Sequence, residues 1–249
     1  MLEGNVILVT GASQGMGRAM AQRLSEEGAT LVLLSRDRQR LEEVSETLPG
    51  ESHIATADVR DASAVSAAAE SVIDEFGSVD AIINNAGVAL TSIAGERKHV
   101  VDIEEDEWDT VVETNLKGVF LVTKHFLPSM LEQKRGNVIN ISSGFGRRAA
   151  PKWEPYLTTK WGLEGFTRSL ALEVKPSGVN VNGLDPGGGV NTGFAEHLTE
   201  SEREKRLPPD VMNDAIVRLV DQDPHGITGE SMAAGEWQGV LSSMMTDGD

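Results

Sequence analysis

The chain has 249 residues, 39% of them hydrophobic, which is enough for one large α/β core rather than two small ones. A formal net charge of −17, from 39 acidic against 22 basic residues, opposes attraction to phosphate backbones and anionic lipid surfaces, so no nucleic acid or membrane partner is expected. The absence of cysteine removes disulfides, thiolate metal sites and cysteine nucleophiles.

The acidic residues are spread along the chain, as in Glu26-Glu27, Glu104-Glu105-Asp106-Glu107 and the stretch from Glu200 to Glu204. That pattern points to a salt-rich cytosol, with an ordinary acidic solvated surface as the alternative. The sequence opens Met1-Leu2-Glu3-Gly4-Asn5 and runs straight into an apolar strand without a basic n-region, so a cytoplasmic protein is expected.

In chain order, the continuous apolar run 6–9 reads as a strand buried on both faces, followed by a glycine-rich turn and a helix over 18–27. A strand over 30–34, a helix over 38–47 and a strand over 54–57 follow. Then come a helix over 62–76, a strand over 81–83, a long helix over 105–131, a strand over 137–141, a helix over 156–174 and a strand over 179–181. Repeated βα units predict an α/β fold, a parallel sheet with helices on both faces, and a ligand beyond the carboxyl ends of the strands. No linker or repeat divides the chain, so a single domain over 1–249 is expected. The polar stretch 187–209 suits a mobile lid or a plain surface excursion.

The turn Thr10-Gly11-Ala12-Ser13-Gln14-Gly15-Met16-Gly17 lies between a buried strand and a helix, where bare backbone N–H groups and the helix dipole can receive a pyrophosphate. Side chains at Gly11, Gly15 or Gly17 would block that approach, and the context makes this a Rossmann-type dinucleotide site. The residues Gly11 to Gly15 also match a nucleophile elbow, which leaves a hydrolase built on Ser13 as the alternative. At the end of the second strand, Ser35 stands where a carboxylate usually selects NAD, and Arg36 follows, which favours NADP. Asp37 keeps NAD as the alternative, and Arg38 and Arg40 read as a solvated charged turn.

Thr10 to Gly17, Asn84-Asn85-Ala86-Gly87, Asn115, Ser142-Ser143, Tyr156-Leu157-Thr158-Thr159-Lys160 and Pro186-Gly187 occur in an order and spacing that closely resemble the short-chain dehydrogenase/reductase family. The resemblance spans almost the whole chain. It implies one doubly wound parallel sheet, NAD(P)-dependent hydride transfer to or from a small-molecule carbonyl or alcohol, and assembly as a homodimer or homotetramer. It also implies a catalytic set of Asn115, Ser143, Tyr156 and Lys160. The implied cofactor contacts run through Gly11, Ser13, Gln14, Gly15, Met16 and Gly17, then Ser35 and Arg36, Asp58 and Val59, Asn85, Ala86 and Gly87, and finally Tyr156, Lys160, Pro186 and Gly187. A non-catalytic NADP-binding regulator is a further alternative, against which the complete catalytic set argues.

Chemistry supports the same site. Tyr156 and Lys160 are four residues apart on a helix and share one face, so the ammonium is expected to lower the phenol's pKa and let Tyr156 exchange protons near neutral pH. Ser143 would hydrogen-bond the substrate oxygen, with Ser142 supporting the strand end, and Lys160 would hold the nicotinamide ribose as in relatives. Asn115 interrupts an apolar helix, where an amide needs partners; in relatives it supports a water-linked proton relay. His53, His99, His125, His197 and His225 show no ligand spacing, so no metal is expected.

Trp153 and Trp161 flank Tyr156 as candidate pocket walls, with core packing or a subunit contact the preferred use of Trp161. Arg147, Arg148 and Lys152 hint at an anionic substrate. The segment from Asp185 to Thr192 runs one residue longer than in the family, and Ala234-Gly235-Glu236-Trp237 replaces its usual Val-Asp-Gly-Gly ending. Relatives act on 3-oxoacyl thioesters, sugars, steroids and simple ketones or alcohols with the same motifs, so the fold does not choose a substrate.

Overall fold

A run such as Val6-Ile7-Leu8-Val9 is stable in a strand only when both of its sides are covered. In the computed structural model, which describes residues 2–246, β1 (Val6–Thr10) turns Ile7 and Val9 toward one hydrophobic core and Leu8 toward another. The chain continues through α1 (Gly15–Glu26), β2 (Thr30–Ser35), α2 (Arg38–Ser45), β3 (Ser52–Thr56), α3 (Ala62–Phe76), β4 (Ala81–Asn84) and the one-turn α4 (Leu90–Ile93). Next come α5 (Glu105–Val112), a π-helical stretch (Glu113–Lys117), α6 (Gly118–Gln133), β5 (Gly136–Ile141), α7 (Glu154–Val174) and β6 (Val179–Asp185). The one-turn α8 (Glu200–Arg203), α9 (Asn213–Val220), β7 (Ser231–Ala233) and α10 (Ala234–Thr246) complete it.

Among the described residues the strands form one parallel sheet in the order β3-β2-β1-β4-β5-β6-β7. Met20 and Leu24 of α1, Leu41 of α2, Ile216 of α9 and Trp237 of α10 cover one face. Val65 of α3, Phe126 of α6 and Val174 of α7 cover the other, giving the expected doubly wound architecture. Strand order reverses beside β1, which opens a crevice between β1 and β4. The register brings the strand ends level, with Thr10 opposite Leu34, Asn84 opposite Asn140 and Ile141 opposite Leu184. No helix among the described residues is long and apolar enough to cross a membrane.

Differences from the sequence reading have local causes. The first helix begins at Gly15, so the glycine turn is already helical where 18–27 was expected. The third strand is Ser52–Thr56 rather than 54–57, because pairing with β2 sets its limits and an edge strand tolerates Ser52 and His53. The helix expected over 105–131 is α5 and α6 joined by the π stretch.

β6 runs on past 181 to Asp185 through polar residues that pattern reading rejects. Its asparagines are buried and bonded: Asn180 Nδ2 donates to Asn137 Oδ1 at 2.9 Å, and Asn182 Nδ2 donates to the Ile227 carbonyl at 2.6 Å. The stretch 187–209 is tied back on itself by a bridge between Val190 and Leu207 and by Leu207 N–H donating to the Gly189 carbonyl at 2.9 Å.

Trp237 is fully buried, and its Nε1 donates to the Gly183 carbonyl of β6 at 2.9 Å. Trp237→Ala is expected to cost about 3–5 kcal/mol in urea unfolding by loss of that bond and creation of a cavity. A loss below about 1 kcal/mol would place α10 outside the cooperative core.

Candidate active site

Thr10 ends β1 with a hydroxyl that organises the crevice. Its Oγ1 accepts from the backbone N–H groups of Asn85 and Ala86, each at 3.0 Å, and donates to the Ile83 carbonyl at 3.3 Å. Asn85 Nδ2 donates in return to the carbonyls of Thr10 at 2.9 Å and Gly11 at 3.3 Å. The glycine turn and segment 84–87 therefore form one unit. Gly11 has φ 65°, and a Cβ there would lie 3.0 Å from the Ala86 Cα. At Gly17 a Cβ would lie 2.3 Å from the Gly11 carbonyl oxygen, so Gly17 sits beneath the turn and its bareness serves packing rather than ligand approach.

A cleft of about 580 Å³ opens above this unit. Gly11, Ser13, Gln14, Gly15 and Met16 line one side; Ser35, Arg36, Asp58 and Val59 line the adjoining end; Asn85, Ala86 and Gly87 lie opposite. The first turn of α1 carries no acidic residue and no side-chain cap, so its N–H groups face the cleft free to bind an anion. The site fits a dinucleotide pyrophosphate. Thr192, Gly193 and Phe194 close over it, with the Thr192 methyl 3.2 Å from where a Gly15 Cβ would stand. Pro186 and Gly187, expected as cofactor contacts, follow β6 and do not line this cleft, nor do Tyr156 and Lys160.

Near Ser35 the charges are already sorted. Asp37 caps α2, accepting from the Arg40 N–H at 3.1 Å, and its other oxygen lies 3.3 Å from Arg40 Nε. The carboxylate that left NAD open is thereby engaged. Asp58 is held by Arg60 at 2.8 Å, whose hydrogen bonds keep its carboxyl below the usual range against the opposing effect of burial. Arg36 remains two-thirds exposed with only a 3.8 Å approach to Asp58. Arg40, read from sequence as a solvated charge, lines the cleft and donates through Nη1 to Gln14 Oε1 at 2.8 Å. Its place in the first turn of α2, beside the strand end, is the signal that could have marked it.

Ser143 follows β5, and its Oγ accepts from the Phe145 N–H at 3.2 Å. Tyr156 lies in the first turn of α7 and Lys160 one turn on. Lys160 is buried; its Nζ donates to the Ile141 carbonyl at 2.7 Å and stands 5.5 Å from the centroid of the Tyr156 ring. Burial pushes the ammonium down to about 8, opposed by the Glu164 carboxylate. Burial also pushes the Tyr156 phenol up to about 12; hydrogen bonding with Ser143 opposes this and the Asp185 carboxylate adds to it. Burial, not Lys160, therefore sets the direction of the phenol, which moves up where a lowering was expected.

Asn115 lies in the π stretch between α5 and α6, buried. Its Oδ1 accepts from the Val88 N–H and its Nδ2 donates to the Val88 carbonyl, both at 2.8 Å, with a further bond to Thr159 Oγ1 at 3.2 Å. Thr159 Oγ1 donates to the Tyr156 carbonyl at 2.7 Å, so Asn115 reaches the tyrosine through Thr159. Ser142 donates to Glu164 and supports the strand end as expected. Arg147 is withdrawn from any substrate, paired with both Glu164 and Asp185. Trp153 lies beside Tyr156, whereas Trp161 is half exposed and outside the core.

A cleft that fits a dinucleotide, and whose wall residue Phe194 meets the Tyr156 ring at a centroid distance of 6.0 Å, suits oxidation and reduction, and among the described residues no histidine hydrogen-bonds Ser13 as a hydrolase would require. The chain belongs to the short-chain dehydrogenase/reductase family of oxidoreductases, its residues 5–203 matching the short chain dehydrogenase family model. An uncharacterized oxidoreductase of Staphylococcus epidermidis is 36% identical over 220 residues, covering 88% of this chain and 92% of the relative. The crystal structure of a metagenomic short-chain oxidoreductase in complex with NADP is 31% identical with a TM-score of 0.79, covering 93% of this chain and 97% of that one. A 3-ketoacyl-(acyl-carrier-protein) reductase from Brucella melitensis, complexed with NADH, is 29% identical with a TM-score of 0.85, covering 94% and 97% respectively.

Tyr156 is the sole tyrosine of the chain, so the near-ultraviolet phenolate band reports this one group. In the cofactor-free protein it is expected to ionise with a midpoint near about 12. Asp185→Asn, which removes a nearby negative charge, should lower that midpoint. Ionisation at or below the ordinary phenol value of about 10 would refute the dominance of desolvation.

Proposed function

We propose that this enzyme reduces a carbonyl, or oxidises the corresponding secondary alcohol, with NADP(H), and that Tyr156 exchanges the proton. The observation that carries the reading is Tyr156 held over Lys160, with its ring against Phe194 of the cleft wall. The cofactor would lie with its pyrophosphate on the N–H groups of α1 and its 2′-phosphate toward Arg36 and Arg40; when bound it supplies or accepts the hydride at the carbonyl carbon. Ser143 Oγ donates to the substrate oxygen as negative charge develops there. Tyr156 delivers its proton to the same oxygen. Lys160, anchored on the Ile141 carbonyl, holds the cofactor ribose and supplies positive charge as the phenolate forms. Asn115, clamped on Val88 and Thr159, is a positioning residue for this end of α7 and for the relay expected from the family.

The preference for NADP rests on the engagement of Asp37 as a helix cap and on Arg36 and Arg40 at the cleft, and the relative solved with NADP supports it. The Brucella relative, by its name a ketoacyl reductase, supports a 3-oxoacyl thioester among candidate substrates, beside sugars and simple ketones. Phe120 of α6 and Trp161 and Leu172 of α7 leave large apolar side chains exposed, which supports a homodimer or homotetramer. A cytoplasmic enzyme with a salt-tolerant acidic surface completes the reading.

Titration followed by nicotinamide fluorescence tests the cofactor. Arg36→Ala/Arg40→Ala should weaken NADPH by about tenfold or more and leave NADH within about twofold. Equal losses for the two would refute the 2′-phosphate role. Tyr156→Phe should lower kcat by about 10²–10⁴ with NADPH affinity retained, and undiminished turnover would remove Tyr156 from the mechanism.

A further inference from the structure

Aromatic residues are scarce in this chain, with six Phe, four Trp and one Tyr among its 249 residues. Phe145 and Trp153 of the β5–α7 connection and Phe194 of the stretch after β6 gather around the Tyr156 ring, at centroid distances of 6.4, 5.7 and 6.0 Å. Phe145 and Trp153 also meet each other at 5.1 Å. None of these rings belongs to either hydrophobic core, and all are half-buried. Rings recruited for packing alone would sit among the aliphatic residues of the two cores, whereas these keep accessible surface beside the reacting hydroxyl.

Two guanidinium groups flank the cluster. Arg97 Cζ lies 5.8 Å from the Trp153 ring centroid, and Arg148 Cζ lies 5.5 Å from that of Phe145. Neither is ion-paired with a carboxylate among the described residues, in a chain whose formal charge is −17. Arg147, next to Arg148 in sequence, is by contrast fully engaged by Glu164 and Asp185. Stacking on a ring holds a guanidinium plane in place while leaving its N–H fork free, so little ordering is lost when an anion binds.

We infer that the substrate is an aromatic aldehyde or ketone bearing an anionic group, its ring received by Phe145, Trp153 and Phe194 and its anion by Arg97 and Arg148. The inference rests on the proposed reading of Tyr156 as the proton donor. A hydride and its electron pair add to the carbonyl carbon, the C=O π bond breaks, its oxygen takes the Tyr156 proton, NADPH is oxidised and the product is the aryl carbinol. A planar ring gains edge and offset contacts with three ring walls that a saturated chain does not, and the two guanidinium groups offset the general repulsion of anions by this acidic protein.

The test measures kcat/KM by NADPH oxidation with the full chain and four carbonyls: 4-carboxybenzaldehyde, benzaldehyde, cyclohexanecarboxaldehyde and an acetoacetyl thioester. The carboxylated aromatic is expected to exceed benzaldehyde by about tenfold, and benzaldehyde to exceed the saturated ring by about tenfold. Arg97→Ala/Arg148→Ala, both at exposed positions, should reduce the preference for the carboxylate to about twofold or less, and Trp153→Leu should narrow the aromatic preference. Preference for the thioester or the saturated ring, or a carboxylate preference unmoved in the double variant, would overturn the inference. If no carbonyl is reduced, the proposed function itself fails. Binding of 4-(hydroxymethyl)benzoate to the NADPH complex, followed by tryptophan quenching, then judges the pocket alone: saturable binding lost in the double variant sustains it, and no binding overturns it.

Discussion

The contact on which the rest of the site depends is the junction of Thr10, Gly11 and Asn85. A hydroxyl at the end of β1 satisfies two backbone N–H groups of the segment after β4, and an amide from that segment satisfies two carbonyls of the turn after β1. These groups lie at the switch point of the sheet, where the backbones diverge and no ladder partner is available. Gly17 allows the close approach, since a Cβ there would meet both the Gly11 carbonyl and the Asn85 amide. With the junction in place, the first turn of α1 aims its free N–H groups into the crevice and Gly87 lies against Asn115, which extends the same rigid unit toward the chemistry.

Buried polar chains carry that rigidity across the sheet. Asn84 Nδ2 donates to Asn140 Oδ1 at 2.9 Å, and Asn140 Nδ2 donates to Thr167 Oγ1 of α7 at 2.9 Å. Asn115 and Thr159 make a second link, from the Val88 backbone to the first turn of α7. Each such amide would be costly to bury alone, and each is stabilising only where its partner is already placed. Tyr156 and Lys160 are therefore presented by a helix that is pinned to the strands and to the turn after β4, which fixes where the phenol and the ammonium stand.

Burial also sets the electrostatic character of the site, moving the tyrosine up and the lysine down, each shift acting against the charged form. The nearby arginines divide by their neighbours. Arg147 neutralises Glu164 and Asp185 beneath the serine loop, Arg40 is drawn by Asp37 and Gln14 toward the dinucleotide end, and Arg97 and Arg148 rest on aromatic rings at the mouth. Three similar side chains in the stretch Arg147, Arg148 and Lys152 thus cannot be assigned one task from their charge.

What the sequence determined by itself was whatever depends on short-range geometry. Continuous apolar runs require strands covered on both faces, the glycine turn between such a strand and a helix requires a phosphate-sized opening, and a four-residue spacing puts Tyr156 and Lys160 on one helix face. The motifs from Thr10 to Gly187 carried the family for the same reason, each being a local backbone requirement. Only the tertiary structure decided the packing role of Gly17, the full length of β6, the cleft position of Arg40, the loss of Arg147 to two carboxylates and the arrival of Phe194 at Tyr156. It also reversed the direction expected for the phenol. Each of these depends on which distant groups close around a residue, because desolvation, ion pairing and steric contact are set by neighbours in space, and neighbours in space are not neighbours in sequence.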